Sequence, residues 1–203
     1  MVRLIIISIL IGYGLGSIQF AYLLGRLVRN IDIREHGTGN AGASNVTSTM
    51  GLKYGAVVAV LDILKGTLAV LVVRSIFPGN PELAYLSGLM AVIGHLFPFY
   101  LRFRGGKGVA ALVGMMFGVD WRLGLLFVLL VAVPALAADY IVVGSLTVFI
   151  LLPVVTYLAG YPAVLIAGGI ILTGLSFYLH RENLRRIIRG KELKISSVLR
   201  KNG

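Results

Sequence analysis

Three polar clusters interrupt an otherwise apolar chain, and each carries groups able to hold a phosphate. The densest is His36-Gly37-Thr38-Gly39-Asn40-Ala41-Gly42-Ala43-Ser44-Asn45. Gly37, Gly39 and Gly42 permit turns that gather several backbone N–H groups into one concavity, a nest for an anion. Thr38, Asn40, Ser44 and Asn45 surround it with neutral hydrogen-bonding groups. The spacing also satisfies G-x-G-x-x-G, but a dinucleotide fold needs a preceding strand and an acid about 20 residues on. Asp62 has that spacing and lies inside an apolar segment, which excludes the reading. The plainer alternative is a turn-rich loop whose Asn and Ser residues act as caps.

The second cluster is Gly94-His95-Leu96-Phe97-Pro98 followed by Arg102-Phe103-Arg104-Gly105-Gly106-Lys107-Gly108. It is not a nucleotide P-loop, because Leu101 stands at the first glycine position and Gly108 at the Ser/Thr position. Flanked by Gly105, Gly106 and Gly108, Lys107 can still lie over an anion with little bulk in the way. The alternative is a basic loop with His95 bonding a helix end. In the third cluster, His180-Arg181-Glu182-Asn183, the i, i+3 spacing turns His180 and Asn183 to one helix face. A solvated helix start bearing arginines for lipid headgroups is the competing reading. Asp62 and Lys65, also i, i+3, are either a functional buried pair or a structural brace.

Absences narrow the chemistry. There is no cysteine, no G-x-S-x-G elbow and no run of acids suited to magnesium, so neither metal nor cofactor is expected.

The elements that must position these clusters are membrane helices. The chain is 58% hydrophobic and 13% charged, with mean hydropathy +0.92. Soluble domains run about 45–50% apolar and about 25% charged. The net charge of +11 therefore reports membrane orientation and anionic lipids, not nucleic acid. Apolar stretches cover 4–24, 55–77, 83–101, 109–119, 123–138, 141–159 and 163–179. The first is too long for a secretory signal and leads into no cleavage site. Whether 109–138 is one helix or two depends on Asp120-Trp121-Arg122, and the charges arbitrate. Fifteen of the 19 Lys and Arg lie in 26–54, 102–108 and 180–203. Seven crossings place all three regions on the cytoplasmic side. The expectation is an all-α polytopic membrane protein of seven transmembrane helices, the fourth and fifth short, N-terminus out and C-terminus in. Residues 1–203 form a single domain without internal repeats. Gly12 and Gly16 form a small-xxx-small pair for close helix packing, as do Gly114 and Gly118.

In order and placement the motifs resemble the bacterial integral-membrane acyl-phosphate:glycerol-3-phosphate acyltransferases. The resemblance rests on Gly16-Ser17-Ile18-Gln19-Phe20-Ala21-Tyr22, on Asp32-Ile33-Arg34 through Asn45, on Gly94–Pro98 with Gly105-Gly106-Lys107-Gly108-Val109, and on His180-Arg181-Glu182-Asn183. It implies transfer of a fatty acyl group from acyl phosphate to the 1-hydroxyl of glycerol 3-phosphate in the inner membrane. It further implies phosphate binding by Thr38, Gly39, Asn40 and Ser44, with Gly42, Asn45, Gly105 and Gly106 as further substrate-binding residues. Lys107, His180 and Asn183 would complete the polar site and His95 would support it. The proton acceptor is either His180 or a substrate phosphate oxygen. No acid stands four residues after His36, His95 or His180, so the His-x4-Asp signature of other glycerolipid acyltransferases is absent. Two departures stand out: Gln19 where the family usually has Pro, and Ser48 where it usually has a phosphate-binding Arg. Arg34 and Lys53 are the candidates to replace that charge. The competing classes are a small anion transporter and a divergent, inactive homologue that binds lipid headgroups.

Overall fold

An apolar run long enough to cross a bilayer must satisfy its backbone internally, and a helix does so within one segment. The computed structural model describes the backbone of residues 1–202 and the side chains of 1–198. Gly203 and the side chains of Arg200 and Lys201, part of the basic tail, lie outside the described residues. Among the described residues there are ten α-helices and no strand: α1 (Val2–Ser17), α2 (Phe20–Arg29), α3 (Ala43–Met50), α4 (Leu52–Ile76), α5 (Pro81–Leu96), α6 (Val109–Val119), α7 (Trp121–Ala138), α8 (Ile141–Leu158), α9 (Ala163–Ile188) and α10 (Ile195–Asn202). Six spans among them are long and apolar enough to cross a membrane: α1 with α2, α4, α5 with the turn after it, α7, α8 and α9. The protein is a polytopic, all-helical membrane protein.

The chain divides into two compact units, Met1–Gly124 and Leu125–Gly203. In the first, α5 packs on α1, α4 and α6, and α4 packs on α6 and α3. Small residues permit these approaches. A Cβ at Gly12 or Gly16 of α1 would collide with the Ser87 or Ala91 carbonyl of α5. At Gly66 and Gly114, where α4 meets α6, it would collide with the Ala111 and Ile63 carbonyls. Thr67 Oγ1 crosses the same seam to the Gly114 carbonyl at 2.9 Å. In the second unit, Gly144 of α8 lies against the Val131 carbonyl of α7, and Thr173 of α9 donates to the Phe149 carbonyl of α8 at 2.6 Å.

Two boundaries differ from the sequence expectation, whereas the division of 109–138 into two helices agrees with it, α7 being longer than the short helix expected. The apolar stretch 4–24 is two helices, interrupted at Ile18 and Gln19. Residues 109–138 are two helices that part at Asp120, whose carboxylate accepts the Arg122 N–H at 2.7 Å and caps α7. With 11 residues, α6 reaches about 16 Å, whereas α7 has 18 residues and qualifies as a span. Finally, α9 continues past 179 through His180 and Asn183 to Ile188.

The glycine seam gives a matched pair of outcomes. Gly16→Ala is expected to lower the melting temperature of the purified protein, because the methyl meets a backbone carbonyl and costs about 1–3 kcal/mol. Gly14→Ala has open space around it and better helix propensity, so its melting temperature should be unchanged or higher. Equal effects in thermal unfolding would mean that the α1–α5 contact is not this close.

Candidate active site

The glycine-rich loop is entered through a short 3₁₀ turn, Ile33–Glu35, capped by Asp32, whose carboxylate accepts the Arg34 N–H at 3.0 Å. The Arg34 side chain returns to the same carboxylate with Nε at 3.0 Å and Nη2 at 2.6 Å. Its remaining nitrogen, Nη1, donates to the Leu101 carbonyl at 2.8 Å. The guanidinium lies 5.3 Å from the Tyr22 ring centroid. These hydrogen bonds from Arg34 hold the Asp32 carboxyl below the ordinary carboxylate range, against the opposing effect of its burial, and raise Arg34 further. Each nitrogen of the Arg34 guanidinium is therefore engaged in joining the two loops. Ser48 itself is exposed and donates to the Asn45 carbonyl at 2.9 Å.

Gly37 and Gly39 adopt positive φ, +59° and +75°, as the proposed turn chemistry requires. The loop is organised from inside by Asn45, in the first turn of α3. Its buried amide nitrogen donates to the carbonyls of Ile33 (2.9 Å), His36 (3.0 Å) and Asn40 (2.9 Å). Its oxygen accepts the Thr38 N–H at 2.7 Å. The expectation of Asn45 as a donor to a ligand is corrected here: both its polar atoms are consumed in shaping the loop. The nest is also smaller than expected, since the Thr38, Gly39 and Ala41 N–H groups are taken up by Asn45, His36 and Gly105. Thr38 and Ser44 are exposed, Asn40 and Gly42 half-buried, and Asn40 donates to Thr38 Oγ1 at 3.1 Å. Gly42 is the N-cap of α3, so the first amides of that helix open beside Ser44.

The second loop leaves α5, makes a 3₁₀ turn at Phe99–Leu101, and runs back along the helix end. The Gly105 and Gly106 N–H groups donate to the Leu96 and His95 carbonyls, both at 3.1 Å. Gly105 in turn accepts the Ala41 N–H at 3.2 Å, so the two glycine-rich loops are hydrogen-bonded together. A Cβ at Gly105 would strike the His95 carbonyl, and one at Gly106 would strike His95 Nε2. These two glycines thus answer a packing need, one that spacing alone had assigned to ligand approach. Half-buried Lys107 follows, then Gly108 at φ +83° as the N-cap of α6. Arg102 and Arg104 are exposed, as orientation charges should be.

His180 and Asn183 belong to the second unit and share the buried face of α9. His180 Nδ1 lies 2.9 Å from the Ser176 carbonyl. A carbonyl only accepts, so Nδ1 is the donor in this contact. Asn183 donates to Glu192 Oε1 at 2.6 Å, and Arg186 holds the other oxygen of that carboxylate at 2.6 Å. Sequence reasoning passed over Glu192 because it lies nine positions beyond Asn183, after the helix has ended. Gln19 stood out in the sequence only as a departure from the family's usual Pro; its side chain is buried and donates to the His95 carbonyl at 3.1 Å. An amide standing alone in a glycine-rich apolar segment was the available signal.

Residues 6–190 match the family model described as glycerol-3-phosphate acyltransferase. The chain is 39% identical to glycerol-3-phosphate acyltransferase 1 of Oceanobacillus iheyensis, with 97% of each chain covered. It is 42% identical to the glycerol-3-phosphate acyltransferase of a Bradyrhizobium species, covering 94% of this chain and 95% of that one. Its fold is similar to the crystal structure of PlsY (YgiH), an integral membrane glycerol 3-phosphate acyltransferase. Against the glycerol 3-phosphate form the TM-score is 0.84, at 34% identity, over 94% of this chain and 95% of that chain. Against the lysophosphatidic acid form the TM-score is 0.80.

The Asp32–Arg34 contact sets a pH dependence. A carboxyl depressed on folding contributes stability that is full above its unfolded value, about pH 4, and is lost as pH falls through the folded value. Asp32→Asn should therefore melt below the parent at neutral pH, and the gap should close as the pH is lowered below about 4. A gap that is constant down to acid pH would show that the charge is not what stabilises the turn.

Proposed function

The chain belongs to the glycerol-3-phosphate acyltransferase family, and we propose that it passes a fatty acyl group from acyl phosphate to the 1-hydroxyl of glycerol 3-phosphate. The hydroxyl oxygen attacks the acyl carbonyl, the C–O bond to phosphate breaks, and the hydroxyl proton leaves on phosphate. The products are lysophosphatidic acid and inorganic phosphate. The observation that carries this reading is the Ala41–Gly105 hydrogen bond, which joins the Thr38–Ser44 loop to the segment ending in Lys107. Both substrates carry phosphate, and a pair of joined loops with one lysine suits that chemistry.

In this reading the side chains of Thr38, Asn40 and Ser44, with Gly42 and the first amides of α3, bind phosphate oxygens, and Gly39 supplies the turn that presents them. Asn45, Gly105 and Gly106 shape the loops. Lys107 stabilises the charge that develops as the carbonyl is attacked. His180 and Asn183, in the second unit, also take part in the reaction, with Glu192 orienting the Asn183 amide. The hydroxyl proton reaches phosphate either directly, on a substrate phosphate oxygen, or by way of His180. The family match runs through both units, which supports a single acyltransferase domain.

Seven crossings in the inner membrane, N-terminus out and C-terminus in, fit the charges best. Seven of the 11 residues of α6 are buried, so protein, not lipid, surrounds much of this short seventh crossing. The site then opens on the cytoplasmic face, where glycerol 3-phosphate is in water and the acyl chain remains among membrane lipids. Ser48 favours one second reading, a lipid-binding homologue without turnover, since the Arg34 guanidinium is committed to Asp32 and Leu101.

Purified protein given acyl phosphate and glycerol 3-phosphate is expected to produce lysophosphatidic acid. Absence of product from folded protein, alongside an active acyltransferase control, would leave the non-catalytic reading. Lys107→Ala should lower kcat by about 10²–10³ without changing the melting temperature; retained turnover would remove Lys107 from the site. Ser48→Arg should lower KM for glycerol 3-phosphate. An unchanged KM would mean that another group already neutralises that phosphate.

A further inference from the structure

Asp62 and Lys65 of α4 lie buried beside His95 of α5, with Gln19 at the break between α1 and α2. Lys65 Nζ is 2.8 Å from Asp62 Oδ1, and it donates to the Ile18 carbonyl left open by that break. The ring of Phe20 lies 5.7 Å from the same ammonium. Asp62 Oδ1 is also 3.5 Å from His95 Nδ1. The other edge of the imidazole, Nε2, faces Gly106 so closely that no Cβ fits between them. The His95 carbonyl is held as well, by Gln19 Nε2 on one side and the Gly106 N–H on the other, both at 3.1 Å.

A chain of contacts therefore runs from Lys65 through Asp62 and His95 to Gly106, the residue before Lys107. On the far side of Lys107, Gly108 caps α6, and α6 is seated on α4 through Gly66 and Gly114, beside Ile63. Lys107 is thus held between two anchors that both return to one turn of α4. A carboxylate, an ammonium and an imidazole are costly to bury in a membrane protein, and a brace alone would need only two of them.

We infer that Asp62 and His95 are positioning residues for the acyl transfer: Asp62, fixed by Lys65, sets the imidazole, and the imidazole sets where Gly106 places Lys107. The inference rests on the acyltransferase reading and adds to it a role for two side chains that need not touch substrate. A displaced Lys107 would still attract phosphate but would be out of register with the charge that develops on the acyl carbonyl. Turnover should suffer more than affinity.

The test uses the full-length protein. Asp62→Asn with Lys65→Met removes both charges together, which avoids stranding one of them in the interior. His95→Leu keeps the volume and removes both ring nitrogens, whereas His95→Asn keeps a donor at the Nδ1 position. Folding is followed by thermal unfolding, and kcat and KM are measured for both substrates. The double variant and His95→Leu are expected to fold and to lose at least about tenfold in kcat, with each KM within about threefold of the parent. His95→Asn should recover part of the kcat lost in His95→Leu. A folded double variant or His95→Leu with kcat within about twofold of the parent would overturn the inference. Equal kcat for His95→Asn and His95→Leu, or a loss confined to KM, would overturn it too. Failure of both the double variant and His95→Leu to fold would make the cluster a device of the fold alone. The parent separates the two layers: no product from it defeats the reaction, while parent-like variants defeat only the positioning role.

Discussion

In hydrocarbon, every polar group must find its partner within the protein, and that constraint shapes the first unit. The break between α1 and α2 exposes the Ser17 and Ile18 carbonyls and the Gln19 N–H. Tyr100 serves two of these groups, accepting from Gln19 N at 3.1 Å and donating to Ser17 O at 3.0 Å, while Lys65 serves Ile18. An interruption that would be costly in isolation thereby becomes the place where four helices are tied together. Gln19 joins the same network through the His95 carbonyl. A proline at that position would forfeit its backbone donor to Tyr100, so here the glutamine and the tyrosine form a linked solution.

The same constraint explains why the polar loops are so heavily cross-braced. Asn45 satisfies three carbonyls and one N–H with a single amide, closing the glycine-rich loop from below. Arg34 closes it from the side by uniting Asp32 with Leu101. Backbone pairing of Ala41 with Gly105 then makes one structure of two loops that lie far apart in the chain. Loops braced in this way keep their polar groups in place without reordering, the preorganisation that electrostatic catalysis favours. Glycine supplies close approach in these loops as it does between the helices: Gly105 and Gly106 meet the His95 carbonyl and ring, as Gly12, Gly16, Gly66 and Gly114 meet carbonyls of the neighbouring helix.

Charge divides into two populations. Exposed arginines such as Arg102 and Arg104 suit a general attraction to the membrane surface, which needs no defined partner. The few buried or braced charges, Asp32, Arg34, Asp62, Lys65 and Glu192, each hold a backbone or side-chain element in place. Net charge alone cannot separate these classes, because a lysine contributes the same unit whether it faces lipid headgroups or an aspartate.

Much was legible in the chain itself. Composition and run length are local properties, and they determined a membrane protein, the places of its apolar spans and the close-packing role of Gly12, Gly16 and Gly114. The motif order pointed to the family and its phosphate chemistry. The tertiary structure alone decided which polar groups meet. It turned Asn45 inward, committed Arg34 to Asp32, joined Ala41 to Gly105, and brought Asp62 and Lys65 to His95. These partners are separated by helices whose relative rotation and depth depend on packing throughout the unit. Spacing along one helix shows which residues share a face; only the packed helices decide what that face meets.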